Sequence, residues 1–371
     1  MEESLMITVL LCSYNGEQYI EEQLKSILDQ TVKDLHVVVS DDGSTDRTLE
    51  IVEKLSDENP GRITIIRQDP PNGSAAVHFL KLFCDKKYDF SLPTPDKKAS
   101  EKNGLSEVLR ADYIMLSDQD DVWKPEKAEK TLAMMKEMEA KYGKDTPLLV
   151  HCDAEVVDES LHQISLSYTA YQKMTPSRKK LNQLLVQNNV VGGATMVNMS
   201  LAGYVKNVPE HCVMHDEWLA LIASAFGEIG YIPEALYYYR QHGDNVLGAD
   251  KGSRIREILG RFGLFRTDGK SKADMDAHSR SVYREMFLQA ECFLRMYGRD
   301  SSKNQDKSLS SDHGDESSQN QNRSLSEEQR KLLRAFISIP KKNRLGKILT
   351  ILRYGFTYNL LHRTVGECLF I

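Results

Sequence analysis

Met6-Ile7-Thr8-Val9-Leu10-Leu11-Cys12, followed by Ser13-Tyr14-Asn15-Gly16, is the stretch that decides the fold. A continuous apolar run of this length is a strand covered on both faces, as in a parallel sheet with helices on either side. The next segment, Gly16–Gln30, carries Ile20, Leu24, Ile27 and Leu28 at helical spacing. His36–Ser40 is a second apolar strand, and Ser44–Leu55 a second helix with Ser44 or Thr45 as its N-cap. Arg62–Arg67 and Asn72–Phe83 repeat the pair. The βαβαβ order predicts a mostly parallel sheet between helices.

Beyond this core, 86–107 is rich in Lys, Ser and Glu and contains Pro93 and Pro95, which predicts a surface loop. Strand character returns at Asp112–Ser117, helix at Pro125–Tyr142 with Pro125 in its first turn, and strand at Leu148–His151. Val190–Asn198 reads as a strand carrying the pair Gly192-Gly193. Asp216–Phe226 reads as a helix and Tyr231–Arg240 as a strand. After residue 250 the pattern changes to helices at Arg254–Phe265 and Ser279–Tyr297. Ser301–Asn322 has only Leu309 as an aliphatic, which predicts disorder. From Ser326 the chain returns to basic amphipathic helix. The expected domains are 1–250, with halves 1–125 and 126–250, and a helical region 251–371 with a disordered insert at 301–322.

Composition narrows the class. At ~100–200 residues per domain, 371 residues allow two domains or one large α/β domain with appendages. Lys plus Arg is 48 against 54 Asp plus Glu, a net charge of −6, which argues against a nucleic-acid binder. No apolar run is long enough for a membrane-spanning helix, and Met1-Glu2-Glu3 lacks the basic start of a signal peptide. Six cysteines without a CxxC pair suit a reducing cytoplasm. The charge is unevenly spread: Arg330 to Arg363 holds nine Lys or Arg and no Asp or Glu. Leu345, Ile348, Leu349, Leu352, Phe356, Leu360 and Leu361 recur there at roughly helical spacing. Such a helix either lies on an anionic membrane or packs on protein.

Two strands end in clustered carboxylates. Asp118-Gln119-Asp120-Asp121 follows Asp112–Ser117, and Asp41-Asp42-Gly43 follows His36–Ser40. Ligands of open α/β sheets bind beyond the carboxyl ends of strands. Three carboxylates in four residues repel one another. They hold a divalent cation through hard oxygen ligands, or form a solvated acidic turn that caps the next helix. Spacing alone does not choose between these, and Asp41-Asp42 reads equally as turn chemistry. His215-Asp216-Glu217 opens a helix, where acidic residues either favour the dipole or supply a general base. Gly192-Gly193 marks a bulge or a close approach of backbone to ligand.

Taken together, Val9–Gly16, Ser26–Thr31, Val39–Asp46 and the element Tyr113–Trp123 resemble the nucleotide-binding half of family 2 glycosyltransferases. The wording Ser117-Asp118-Gln119-Asp120-Asp121-Val122-Trp123 is similar to bacterial rhamnosyltransferases of surface polysaccharide synthesis. The resemblance covers roughly residues 5–250. It implies a GT-A type fold: an α/β nucleotide-sugar-binding mixed sheet flanked by helices, here with a C-terminal α-helical appendage. It further implies that Ser13, Tyr14 and Asp42 line the nucleotide and that Asp118 lies near the ribose. Asp120, Asp121 and His242 would hold a divalent cation, Mn or Mg, on the donor diphosphate, and Arg240 would reach phosphate oxygens. Gly193 would border the sugar pocket. Asp216 would be the catalytic base, with Glu217 the fallback. Gln119 stands where many relatives have a small residue.

The implied activity is inverting, metal-dependent transfer of a sugar from a dTDP- or UDP-sugar to a saccharide or lipid-linked acceptor. L-rhamnose from dTDP-L-rhamnose is the expected donor. The expected place is the cytoplasm, at the inner face of the membrane through 330–371, with no nucleic-acid partner. The alternatives are a nucleotidyltransferase, which would carry a basic Gly-rich loop after the first strand, and a non-catalytic polysaccharide-binding protein.

Overall fold

The computed structural model describes residues 5–84, 111–242, 272–298, 324–359 and 364, with backbone alone for 272–282. The expected loop 86–107, helix Arg254–Phe265, disordered 301–322 and boundary at 250 lie outside the described residues, as do Leu360, Leu361 and Arg363. The chain divides into two units. One comprises Met1–Ser177, Asn189–Val208 and Met214–Ala249; the other comprises Arg178–Asn188, Pro209–Val213 and Asp250–Ile371.

The first unit is built on one mixed sheet. Its strands are β1 (Ile7–Ser13), β2 (Leu35–Asp41), β3 (Ile63–Arg67), β4 (Tyr113–Ser117), β5 (Val122–Trp123), β6 (Leu148–Val157), β7 (Gln163–Ser165), β8 (Thr195–Asn198) and β9 (Glu228–Arg240). They lie in the order β3-β2-β1-β4-β8-β6-β9-β5, and β7 pairs with β6. The strands β3, β2, β1 and β4 are mutually parallel. β8 is antiparallel to both β4 and β6, which turns the parallel sheet into a mixed one. This is the expected α/β class: a mixed sheet flanked by helices, followed by C-terminal helices.

Strand side chains alternate between faces. Ile7, Val9 and Leu11 of β1 join Val37 and Val39 of β2 and Met115 of β4 in one buried cluster. The helices α1 (Ile20–Leu28), α2 (Thr48–Glu58) and α4 (Lys127–Tyr142) cover it with Leu24, Ile27, Val52, Leu55 and Met135. The other face meets α3 (Ala75–Cys84) on β1 and α8 (His215–Phe226) on β6. Short helices α5 (Tyr168–Tyr171) and α7 (Met199–Ala202) fill connections of this unit, whereas α6 (Leu181–Leu184) belongs to the second unit.

Several boundaries differ from the expected ones for local reasons. α2 starts at Thr48 because Asp46 accepts both the Thr48 N–H (3.0 Å) and its hydroxyl (2.5 Å). Ser44 and Thr45 instead tie down Asn15: the Asn15 N–H donates to Ser44 Oγ, and the Thr45 N–H donates to Asn15 Oδ1. The glycine pair is not in a strand. Gly192–Ala194 forms a 3-10 turn, closed by Ala194 N–H to Val191 O at 3.1 Å, and β8 begins only at Thr195. β6 is longer than its apolar run. It continues to Val157 because β9 pairs with it in parallel, slipping register where Pro233 and Glu234 stand out of the ladder. Proline has no N–H to give a ladder.

In the second unit, α9 (Lys272–Tyr297), α10 (Glu327–Ile337) and α11 (Arg344–Tyr354) form a helical group. Phe336 of α10 links Phe287 (4.9 Å between ring centroids) and Phe356 (5.0 Å). A reciprocal Ser326–Gln329 capping box starts α10, and the Asn343 side chain caps α11. Gly355, at φ +66°, ends α11 in the left-handed conformation that glycine adopts without strain.

Candidate active site

The carboxyl ends of the parallel strands β1, β2 and β4 meet at one edge of the first unit. Here the chain spends many of its side chains on fixing loops. The Ser13 hydroxyl donates to Asp41 Oδ2 (3.0 Å), and Asp41 also accepts the Gly43 and Ser44 N–H groups. Asp42 is buried, and its carboxylate holds the chain after β3 through Asn72 N–H, Asn72 Nδ2 and Gly73 N–H. The Tyr14 side chain is 58% exposed, which leaves its ring available to a ligand.

Gln119 has a definite task. Its Oε1 accepts the Tyr14 N–H at 2.9 Å and its Nε2 donates to the Tyr14 carbonyl at 3.1 Å. A Cβ on Gly16 would stand 2.4 Å from Gln119 Oε1, so the glycine leaves room for this clamp. The larger residue therefore points away from the acids beside it and fastens the β1 loop to the acidic loop. From α1, Gln23 Nε2 reaches Ser117 Oγ (2.6 Å) and the Asp118 carbonyl (3.2 Å) and fixes the end of β4.

The acids then converge. A Cβ on Gly193 would lie 2.9 Å from both Asp118 Oδ2 and Asp121 Oδ2, so the two carboxylates face the same backbone. Burial, then the charges of Asp120 and Asp216, push Asp118 up to about 7, while Lys127 pulls the other way. Asp216 thus acts on this cluster although it comes from α8, almost one hundred residues away in sequence. Asp121 is raised well above the carboxylate range, first by burial and then by Asp120 and Asp118. One of its oxygens accepts the Arg240 N–H at 3.3 Å; Oδ2 is buried with no hydrogen-bond partner.

Arg240 and His242 follow at the end of β9. All three guanidinium nitrogens of Arg240 donate to protein oxygens: Nε to the Asp120 carbonyl (2.9 Å), one terminal nitrogen to the Glu159 carbonyl and the other to Glu22 (2.5 Å). Its guanidinium also lies 4.7 Å from the centre of the Tyr19 ring. His242 Nε2 contacts Asp120 Oδ2 at 2.8 Å, and its ring rests on Tyr19 at 4.9 Å.

The other side of the glycine pair meets α8. A Cβ on Gly192 would stand 2.6 Å from His215 Nε2 and 3.6 Å from Asp216 Cβ. His215 is buried and stacked on Phe79 at 4.1 Å, and burial holds its pKa down to about 3. It is therefore a neutral spacer that sets where α8 begins. Asp216 Oδ1 accepts the Glu217 N–H at 2.8 Å, and Glu217 is half-buried beside it. Trp218 is fully buried in the core.

Two residues escape a reading by motif. Lys127, in the first turn of α4, is fully buried. Its ammonium donates to the Gly193 carbonyl and lies 3.6 Å from the Trp123 ring centre and 4.3 Å from that of Tyr237. Burial lowers its pKa to about 8, while Cys152, Asp121 and Asp118 hold the proton on. Tyr168 packs on Tyr239 at 4.7 Å, and its hydroxyl is raised first by burial, then by Asp216, Asp121 and Asp118. Lys127 sits in the polar run Lys124-Pro125-Glu126-Lys127, yet with Thr131, Met135 and Met138 it falls on one buried stripe of α4. That periodicity was its available signal.

Among the described residues, no three His, Cys, Asp or Glu side chains are gathered closely enough to hold an ion alone. The Asp120–His242 pair and the unpartnered Asp121 oxygen would nevertheless fit a hard divalent cation.

This cluster of acids beyond the carboxyl ends of parallel strands lies where open α/β sheets take their ligands. Residues 8–80 match the model of the family described as glycosyl transferase family 2. Over that stretch the chain is similar to family 2 glycosyltransferases, and it is a glycosyltransferase. The dTDP-rhamnosyl transferase RfbG of Shigella flexneri is 27% identical over 262 residues, covering 69% of this chain and 79% of the relative. The putative teichuronic acid biosynthesis glycosyltransferase TuaG of Bacillus subtilis is 25% identical over 239 residues, covering 63% and 79%. Among solved structures, S. aureus TarS 1–349 aligns at 16% identity and a TM-score of 0.45, covering 95% of this chain and 83% of that one.

Proposed function

We propose that this protein transfers L-rhamnose from dTDP-L-rhamnose, with inversion, onto a saccharide or lipid-linked saccharide during polysaccharide synthesis. The observation that carries the reading is the convergence of Asp118 and Asp121 on Gly193, with Asp216 close enough to raise Asp118. Donor-side acids and a candidate base thus lie close together. The likeness to a rhamnosyl transferase supports the choice of sugar.

In this reading Ser13, Tyr14 and Asp42 form the nucleotide end, and Asp118 lies by the ribose. Asp120 and His242 hold a divalent cation, Mn or Mg, with Asp121 beside them. Such a cation stabilises the charge that develops on a departing diphosphate. Arg240 braces the loop that carries Asp120 and Asp121 beside the phosphates. Gly193 gives the sugar room. Asp216 accepts the proton of the acceptor hydroxyl as its oxygen attacks the anomeric carbon from the face opposite the diphosphate. Glu217 is the second carboxylate within that turn. The chain works at the inner face of the membrane, reached through its basic C-terminal helices, and the sequence boundary between its two domains falls near residue 250.

A donor screen with Mn²⁺ or Mg²⁺, reading release of the nucleotide diphosphate, tests the reading. Strong preference for dTDP-rhamnose is expected. Preference for a UDP-hexose overturns the sugar assignment, and release from no nucleotide sugar overturns the activity.

A further inference from the structure

The second unit holds a feature that sugar transfer does not use. The helices α10 and α11 border a cleft of about 510 Å³ whose wall includes Lys331, Arg334, Lys342 and Arg353 and, among the described residues, no carboxylate. Lys342 is set in place by its bond to Thr350 Oγ1 (2.6 Å), and Arg334 reaches Glu327 on its own helix at 3.6 Å. Beside the cleft, α11 exposes Leu345, Leu349 and Leu352 to 66%, 58% and 64%. Their i, i+4, i+7 spacing puts them on one face, and the opposite side of the helix buries Thr350 and Ile351. Leu349 belongs to both features, so the apolar ridge and the cationic wall share an edge.

A ridge of exposed leucines beside fixed cations matches a surface that is apolar within and negative at its boundary. We propose that this face of α10 and α11 docks on an anionic phospholipid bilayer. Lys331, Arg334, Lys342 and Arg353 receive headgroup phosphates, and Leu345, Leu349 and Leu352 enter the acyl boundary. The proposal rests on the membrane association given above and names the surface responsible. Charge complementarity selects the bilayer over a second copy of the chain, whose matching face would bring four cations against four.

The test uses the full chain in flotation with vesicles of phosphatidylcholine alone and of phosphatidylcholine with about one third phosphatidylglycerol. Binding is expected only to the second. Arg334→Gln with Arg353→Gln should weaken it roughly 25-fold, at roughly fivefold per neutralised cation near an anionic surface. Leu345→Ser with Leu349→Ser and Leu352→Ser should weaken it at least ~10-fold, since these side chains carry the apolar share of interfacial binding. Nucleotide release with a water-soluble acceptor should be unchanged in both variants, which separates this surface from the active site. If the wild type ignores anionic vesicles, the membrane reading fails and this proposal with it. If the wild type binds and the variants bind equally well, the surface is wrong although the membrane reading survives. If the leucine variant loses self-association by light scattering and keeps vesicle binding, the ridge is a contact between copies and the proposal is overturned.

Discussion

One methyl group, added at either of two adjacent glycines, should damage two different steps. In Gly193→Ala the new Cβ would stand 2.9 Å from Asp118 Oδ2 and from Asp121 Oδ2, against an ordinary contact of at least 3.4 Å. Each carboxylate must move about half an ångström, and both are confined by the loop that Gln119 and Arg240 hold. Overpacking of this kind costs about 1–3 kcal/mol. At roughly 2–4 °C per kcal/mol for a unit of this size, the melting temperature should fall by about 2–12 °C. A misplacement near 1 Å can cost ~10²-fold in function, so half of that predicts about 10-fold weaker donor binding. In Gly192→Ala the Cβ meets His215 Nε2 at 2.6 Å, and the Phe79 stack opposes the ring's retreat. The start of α8 must shift, and Asp216 with it. Donor affinity should hold while turnover falls about 10- to 100-fold. Calorimetric titration of nucleotide diphosphate with Mn²⁺, beside steady-state kinetics and thermal melts, reads all of these. A folded Gly193→Ala protein with wild-type donor affinity would refute the reasoning. So would two variants that change the same kinetic parameter equally.

Asp120→Ala should abolish the strengthening of nucleotide binding by Mn²⁺, and unchanged metal-dependent affinity in calorimetry would reject its role. Asp216→Asn should bind donor normally and lose turnover by ~10²–10⁴-fold; near-normal turnover would move the base to Glu217 or elsewhere. Acid sensitivity should trace in part to His151, whose buried ring nitrogens lack hydrogen-bond partners and whose pKa burial lowers to about 3. Because the folded value lies below the unfolded 6.5, this stability is present above pH 6.5 and is lost as pH falls toward 3. Between pH 7.5 and 5 the wild type should lose about 2 kcal/mol relative to His151→Phe. Urea unfolding at the two pH values measures this, and parallel losses in both proteins would exclude the histidine.

What the sequence made legible was local. Buried strands ending in acids, and helices with a single apolar stripe, are patterns a few residues long, and β2, β4 and α1 show them plainly. What it hid depended on partners far along the chain. The apolar run of β6 is broken at Asp153 and Glu155, and pairing with β9 and β7 carries the strand on to Val157. Arg240 reads as a phosphate ligand until its bonds to Asp120 and Glu22, 120 and 218 residues away, are seen. Gln119 reads as a departure from the usual small residue, yet its side chain is a clamp on Tyr14. Lys127 was concealed by its polar neighbours, because a charge run suggests a solvated face even where one member turns inward. The glycine pair reads as part of a strand, although its value lies in the space a 3-10 turn leaves between two sets of acids.

The buried ammonium of Lys127 also sets how the enzyme should answer to ionic strength. Mobile ions screen exposed charges over about 10 Å at 0.1 M salt, and they reach buried pairs far less. The balance between Lys127 and the acids above it is enclosed by Trp123 and Tyr237. Rising salt should therefore release the cationic face of α10 and α11 from a bilayer long before it disturbs the poise of the pocket.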